Sequence, residues 1–285
     1  MKKITITLLT FILTALTACE KADFTEQQKT NDGENLTLQV TNWRQVAYTA
    51  TRGLVDISGY SSRLNFVLYK DGERVKSLSQ MQDDQGYGQV SMKLQPGNYK
   101  VLVLAHSSKG NPTLTSPETI KFDNSISYSD TFYYYGDITV TTEPKTQSLT
   151  LQRASSLMRF VISDELPADL YRVQLLYTGG SGVFNAVTGY GANIDSRQEK
   201  VYRVDGYTAP LALPIYTFLQ ADEGKLNVTV TAKDKNDNVI LERTFNNVPM
   251  KRNMVTEYTG TFFEHDNSFS FMADTEWADT IRVTY

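Results

Sequence analysis

The 285-residue chain contains a single cysteine and two histidines, His106 and His265. One cysteine excludes an intrachain disulfide framework, and it excludes zinc sites of four cysteines, or of two cysteines and two histidines, built within one chain. Two histidines leave little material for acid–base catalysis. Charge of one sign is also lacking: 28 Lys and Arg stand against 32 Asp and Glu, for a formal charge of −4. So small and mixed a balance lacks the basic stripe of a nucleic-acid binder, and no nucleic-acid partner is expected. Past the first twenty residues no apolar run approaches the ~20 needed to span a bilayer as a helix. Helical periodicity is missing too, so isolated helical turns are the most that is expected. What is abundant suits pleated sheet: 17 Tyr and 13 Phe, with Thr and Val frequent, in a chain that is 40% hydrophobic. That composition describes a folded chain whose length suggests two domains.

The N-terminus carries the most specific text. Met1-Lys2-Lys3 is a short positive start, followed by the apolar stretch Ile4 to Leu16 and then Leu16-Thr17-Ala18-Cys19. This is the order of a secretory signal, and its apolar part, about 13 residues, is too short for a spanning helix. Leu-Thr-Ala-Cys resembles the lipobox of bacterial lipoproteins, which implies cleavage after residue 18 and acylation of Cys19. Several acyl chains, at ~0.8 kcal/mol per buried CH2, hold a protein on a membrane essentially permanently. Residues 1–18 are thus read as a lipoprotein signal peptide. Residues 19–35, charged and aperiodic, are read as the lipidated cysteine and a flexible tether. Glu20 and Asp23 loosely resemble the acidic surface-export signals of Bacteroidetes lipoproteins.

From Leu36 the pattern is alternation. Leu36, Leu38 and Val40 alternate with Thr37, Gln39 and Thr41, and Leu64, Phe66 and Leu68 repeat the theme. Asp71-Gly72 predicts a two-residue hairpin, since both central positions of a type I′ turn need φ > 0. Pro96-Gly97 predicts a turn with glycine left-handed, before the strand Tyr99 to Ala105. Leu226, Val228 and Val230 lead into the polar turn Lys233 to Asn238, and Val239 to Phe245 returns. The polar stretch Glu143 to Gln147 marks the boundary between a sandwich over 36–146 and another over 147–285. The C-terminal segment, with Phe269, Phe271 and Ala273 on one parity, is expected to fold back on the second domain. Many short strands between turn signals predict an all-β chain of two tandem β-sandwiches.

Candidate chemistry is thin. No His-Glu-x-x-His, Gly-x-Ser-x-Gly or phosphate-cradling glycine loop occurs, so no catalytic residue, metal ligand or cofactor is assigned. Gly179-Gly180-Ser181-Gly182 offers a serine without a triad context and reads as a mobile loop. His106 lies on the strand face opposite Tyr99 and reads as a surface residue; His265 reads as part of a polar turn. Asp234, Asn236 and Asn238 imitate three ligand positions of a calcium hand, but Val239 replaces the needed glycine and no closing Glu follows. A hairpin turn is the better reading. Asp83-Asp84 and Asp164-Glu165 adjoin turn signals and read as solvated. Tyr133-Tyr134-Tyr135 divides between core and surface, where an exposed ring would suit a sugar or an interface.

With these elements placed, a resemblance emerges. Ser62 to Gly72 (SRLNFVLYKDG) resembles the first-domain strand and hairpin of Bacteroidetes fimbrillins, and Leu94 to His106 resembles their Gly-x-Tyr strand ending in Ala-His. Arg153 to Ile162 with Asp164-Glu165-Leu166-Pro167 is similar to the start of their second domain, and Met250 to Thr256 to the Arg-Asn stretch before a late strand. Within that superfamily the resemblance is nearest to FimB/Mfa-type fimbrial anchors and minor subunits. It implies transthyretin-like sandwiches, a lipid anchor in the outer membrane, exposure at the cell surface, and strand exchange with other fimbrial subunits. Arg52-Gly53 departs from the Arg-Ala that stalk subunits often carry where they are processed. Two other classes stand beside this one: a glycan-binding surface lipoprotein, motivated by the tyrosines with Trp43 and Trp277, and a secreted hydrolase, which the missing motifs disfavour.

Overall fold

The Asp71-Gly72 turn joins β2 (Arg63–Lys70) to β3 (Glu73–Met81), with Lys70 opposite Glu73. Its two residues have φ of 52° and 85°, the type I′ geometry that the Asp-Gly pair predicts. The computed structural model describes residues 33–44, 61–192, 196–264 and 269–274. Every regular element among them is a strand, and the fold is all-β. No helix among the described residues is long and apolar enough to cross a membrane.

The hairpin begins a seven-stranded sheet. Its other members are β1 (Leu36–Arg44), β4 (Gln89–Met92), β5 (Gly97–His106), β7 (Thr131–Val140) and β8 (Lys145–Arg153), in the order β3-β2-β5-β7-β8-β1-β4. β7 and β8 pair at one end, through Phe132 opposite Arg153 and Tyr133 opposite Gln152, and the sheet folds over there. The two flaps enclose one core, in which Leu36, Leu38 and Trp43 of β1 meet Leu64, Phe66 and Leu68 of β2 and Val101 and Val103 of β5. This is the first sandwich. Gly97 is not in the αL turn position expected of it: it opens β5 opposite Val140 at φ 154°, a conformation open chiefly to glycine.

The even-numbered face of β5 is buried as well. Val67, Tyr69, Leu102 and Leu104 pack under Leu114, Ile120, Phe122, Phe184 and Phe218. The covering layer comes from the connection after β5, from β6 (Ile120–Lys121) paired with β11 (Val183–Asn185), and from the chain after β14 (Leu211–Thr217). β11 also pairs with β12 (Tyr190–Gly191).

The second sandwich stacks two four-stranded sheets. One is ordered β14-β9-β17-β18, adding β9 (Ser156–Ile162), β17 (Val255–Gly260) and β18 (Phe269–Asp274). The other is β13-β10-β15-β16, from β10 (Arg172–Thr178), β13 (Gln198–Arg203), β15 (Glu223–Lys233) and β16 (Val239–Lys251). Their inner faces share Met158, Phe160 and Ile162 with Val173, Leu175, Leu226, Val228 and Val230. Lys145–Arg153 pairs with β1, because Leu149 and Leu151 complete the first core, so sheet membership changes between Arg153 and Ser156. That crossing is clamped: Arg153 Nε and Nη2 donate to the Asp130 carboxylate at 2.9 and 3.0 Å, and Ser155 Oγ donates to it at 2.8 Å. β18 lies antiparallel on β17, from Val255 opposite Asp274 to Gly260 opposite Phe269, so this part of the C-terminal segment folds back on its own chain.

Candidate functional site

Cys19, Glu20, Asp23, Arg52, Gly53, His265 and Trp277 lie outside the described residues. The other residues singled out by sequence are brought to separate places. His106 is fully buried, in contrast to the surface position expected of it. Parity puts it opposite Tyr99 as read, but that face is covered by the layer containing Phe122, whose ring meets the imidazole edge-on at 5.6 Å. Burial, with the Arg63 charge adding to it, pushes the imidazole down to about 3. A histidine held neutral in this way carries no acidic imidazolium proton near neutrality.

Ser181 is buried, and the glycines around it are packed where a mobile loop was expected. Its Oγ donates to Val183 O at 2.9 Å, and a Cβ on Gly180 would lie 1.9 Å from Thr217 Oγ1. Asp164 is buried too, against its reading as solvated, and accepts the backbone N–H groups of Phe262, Phe263 and Glu264. The 234–238 turn is a hairpin connection in which Asp234 Oδ1 accepts the N–H groups of Asn236 and Asn238, each at 2.8 Å. Trp43 is buried edge-on to Phe132 at 4.7 Å, which removes it as a sugar platform. Of the tyrosine run, Tyr133 is buried and takes a hydrogen bond from Gln152 at 2.6 Å, whereas Tyr134 and Tyr135 are half-buried.

The arrangement with the clearest mechanical consequence is β1. It lies parallel to β8 and antiparallel to β4, so both its edges are paired. Leu36, Leu38, Val40 and Trp43 are all at most 6% exposed. At about 1.5–3 kcal/mol for each large side chain removed from water, this strand is a main support of the first core. Asn35, assigned to the tether by composition, is buried and fastens the strand's entrance. Its Nδ2 donates to Leu94 O at 2.9 Å and Thr141 O at 2.6 Å, and its Oδ1 accepts Leu94 N–H at 2.8 Å. Composition cannot show this clamp, because the partners are 59 and 106 residues away.

A family model described as a family of unknown function, DUF6562, matches residues 27–284. The chain belongs to this DUF6562 family. No curated protein matches it in sequence. Among solved structures, this DUF6562 chain is similar to a candidate adhesin from Bacteroides thetaiotaomicron, with TM-score 0.50 and 10% identity over 88% of this chain and 98% of that one. It is similar as well to a candidate adhesin from Bacteroides ovatus, with TM-score 0.49 and 16% identity over 81% and 88% of the two chains. A fimbrial assembly protein from Parabacteroides distasonis aligns with TM-score 0.42 and 10% identity over 84% and 93%. At these identities the likeness is one of fold.

Proposed function

We propose that this DUF6562 chain is a non-enzymatic surface lipoprotein, held in the outer membrane through Cys19, that anchors a fimbria or forms one of its minor subunits. Other fimbrial subunits join it by β-strand exchange. The observation that carries this reading is β1, the first strand after the tether, inserted between β4 and β8 with its apolar side chains in the core. If β1 withdrew, the sandwich would keep a slot of matching chemistry between β4 and β8. A strand from another subunit with apolar residues at alternate positions would satisfy the same N–H and C=O edges and fill the same pockets. The segments that resemble fimbrillins fall on β2 and its turn, on β5, on β9, and on the β16–β17 connection, so the resemblance runs through both sandwiches. The fold shared with the Bacteroides thetaiotaomicron candidate adhesin accords with this role.

The anchor and the fimbrial role are tested separately. In cells fed alkyne-tagged palmitate the protein should take the label, and Cys19→Ala should lose both label and membrane retention. Retention without label overturns the anchor. A strain lacking the chain should shed its fimbriae or alter their length; fimbriae of unchanged length and attachment overturn the fimbrial role.

A further inference from the structure

The face of the first sheet that is buried against the covering layer opens at one end into a cleft of about 580 Å3. The register shows how. Val67, Leu102 and Tyr135 form one row across β2, β5 and β7, and Tyr69, Lys100 and Asp137 form the next. The first row belongs to the apolar layer; in the second, Lys100 and Asp137 are exposed. The Ser116–Glu118 loop and the turn bearing Val187, itself 50% exposed, form the opposite side.

We propose that this cleft binds a neutral carbohydrate, with Tyr135, Lys100 and Asp137 as its principal contacts. The chemistry of the rim selects that class. Lys100 Nζ stands 2.6 Å from Asp137 Oδ1 and 5.9 Å from the centroid of the Tyr135 ring. An anionic ligand would meet the Asp137 carboxylate, and a cationic one the Lys100 ammonium. A pair of neighbouring hydroxyls suits both, since a hydroxyl accepts from an ammonium and donates to a carboxylate at once. The full rim is likewise mixed in sign, with Lys70 and Lys100 among Asp71, Glu118 and Asp137, a surplus of one carboxylate that weighs further against an anionic ligand. Asn98 adds an amide whose oxygen is taken by Thr139 Oγ1 at 2.8 Å, leaving its NH2 group to donate. Tyr135 and Val187 supply apolar surface for the C–H face of a sugar ring. The volume lies within the ~300–1,000 Å3 typical of small-molecule sites. This inference stands apart from the fimbrial reading, because it uses a different face and no strand exchange.

The test is calorimetric titration of the full chain, held in phosphocholine detergent, with maltotriose, cellotriose, mannotriose and chitotriose. At least one should bind with Kd of about 1 mM or tighter. Tyr135→Ala should weaken that binding by about tenfold or more, and so should Asp137→Asn and Lys100→Met. The last two alter exposed side chains, so they carry the test even where Tyr135→Ala fails to fold. Tyr207→Ala, which removes a tyrosine 63% exposed outside the cleft, should leave the affinity unchanged. Absence of binding to all four sugars overturns the proposal, as does affinity that survives both Asp137→Asn and Lys100→Met. Preference for an extended peptide over every sugar would replace it with a strand-docking surface.

Discussion

His106 Nε2 donates to Asn65 Oδ1 at 3.0 Å, inside a layer where both residues are fully buried. The tautomer follows from the other ring nitrogen. Ser108 N–H donates to Nδ1 at 3.2 Å, so Nδ1 carries no proton and the hydrogen sits on Nε2. Asn65 Nδ2 in turn donates to Ser79 Oγ at 2.8 Å, which extends the chain of bonds to β3.

A pH dependence results. The folded imidazole stays neutral down to about pH 3, whereas the unfolded one protonates near 6.5. Between those values the unfolded chain binds one more proton, so stability rises with pH and falls on acidification. From pH 6.5 to pH 5, above most carboxylate titration, the loss should be about 1.5 kcal/mol. Urea midpoints of the wild type and His106→Gln measure it: the variant starts less stable and should lack this part of the slope. Equal slopes would show that another group titrates.

Two glycines with positive φ, Gly72 and Gly179, predict different costs. At Gly72, with φ 85°, a Cβ would meet nothing within 4 Å, so Gly72→Val carries backbone strain alone, about 1–2 kcal/mol. Gly72→Asn should cost less, because asparagine tolerates this conformation. At Gly179, with φ 94°, a Cβ would lie 2.1 Å from the carbonyl oxygen of Lys225. Gly179→Ala should therefore cost more than Gly72→Val, about 3 kcal/mol or more, as read by denaturant midpoints. The reverse ranking would mean that the chain near Lys225 yields.

These sites also show what a reader of the sequence can and cannot see. The Asp71-Gly72 hairpin, the alternation of β15 and the return of β16 are local, and turn chemistry and period declare them. The runs Phe66-Val67-Leu68-Tyr69 and Val101-Leu102-Val103-Leu104 carry a further signal, since a strand apolar at successive positions is buried on both faces. Which residues cover the second face is non-local: Phe184 and Phe218 come from far along the chain. His106 is therefore legible in parity but not in burial. Lys100 and Asp137 become neighbours through the β5–β7 register alone, and no spacing in the sequence announces them.

Asp164 tests the importance of such distant bonds. β9 and β17 run parallel, with Ile162 opposite Gly260, so both chains leave the sheet on the same side. Two residues on, the Asp164 carboxylate takes Phe262 N–H at 2.7 Å, Phe263 N–H at 2.5 Å and Glu264 N–H at 2.9 Å. Asp164→Ala strands three amide donors and should cost about 2–4 kcal/mol. Hydrogen exchange at Phe262 to Glu264 should speed up ahead of global unfolding. Protection equal to wild type would show that water replaces the carboxylate without cost.

The edge strand β18 supplies the last prediction. Its pairing with β17 makes β17 an interior strand, flanked by β9 on its other side. Deleting residues 268–285 removes that ladder and turns β17 into an exposed edge. The truncated monomer should lose about 2–4 kcal/mol, and the amides of Val255 to Gly260 should exchange faster. The alternative is that the segment serves a neighbouring subunit, since an edge strand offers the same backbone groups to either partner. The two roles separate in one comparison of the full and truncated chains. A lowered denaturant midpoint in the monomer assigns the strand to its own sandwich, whereas an unchanged midpoint with loss of assembly assigns it to donation.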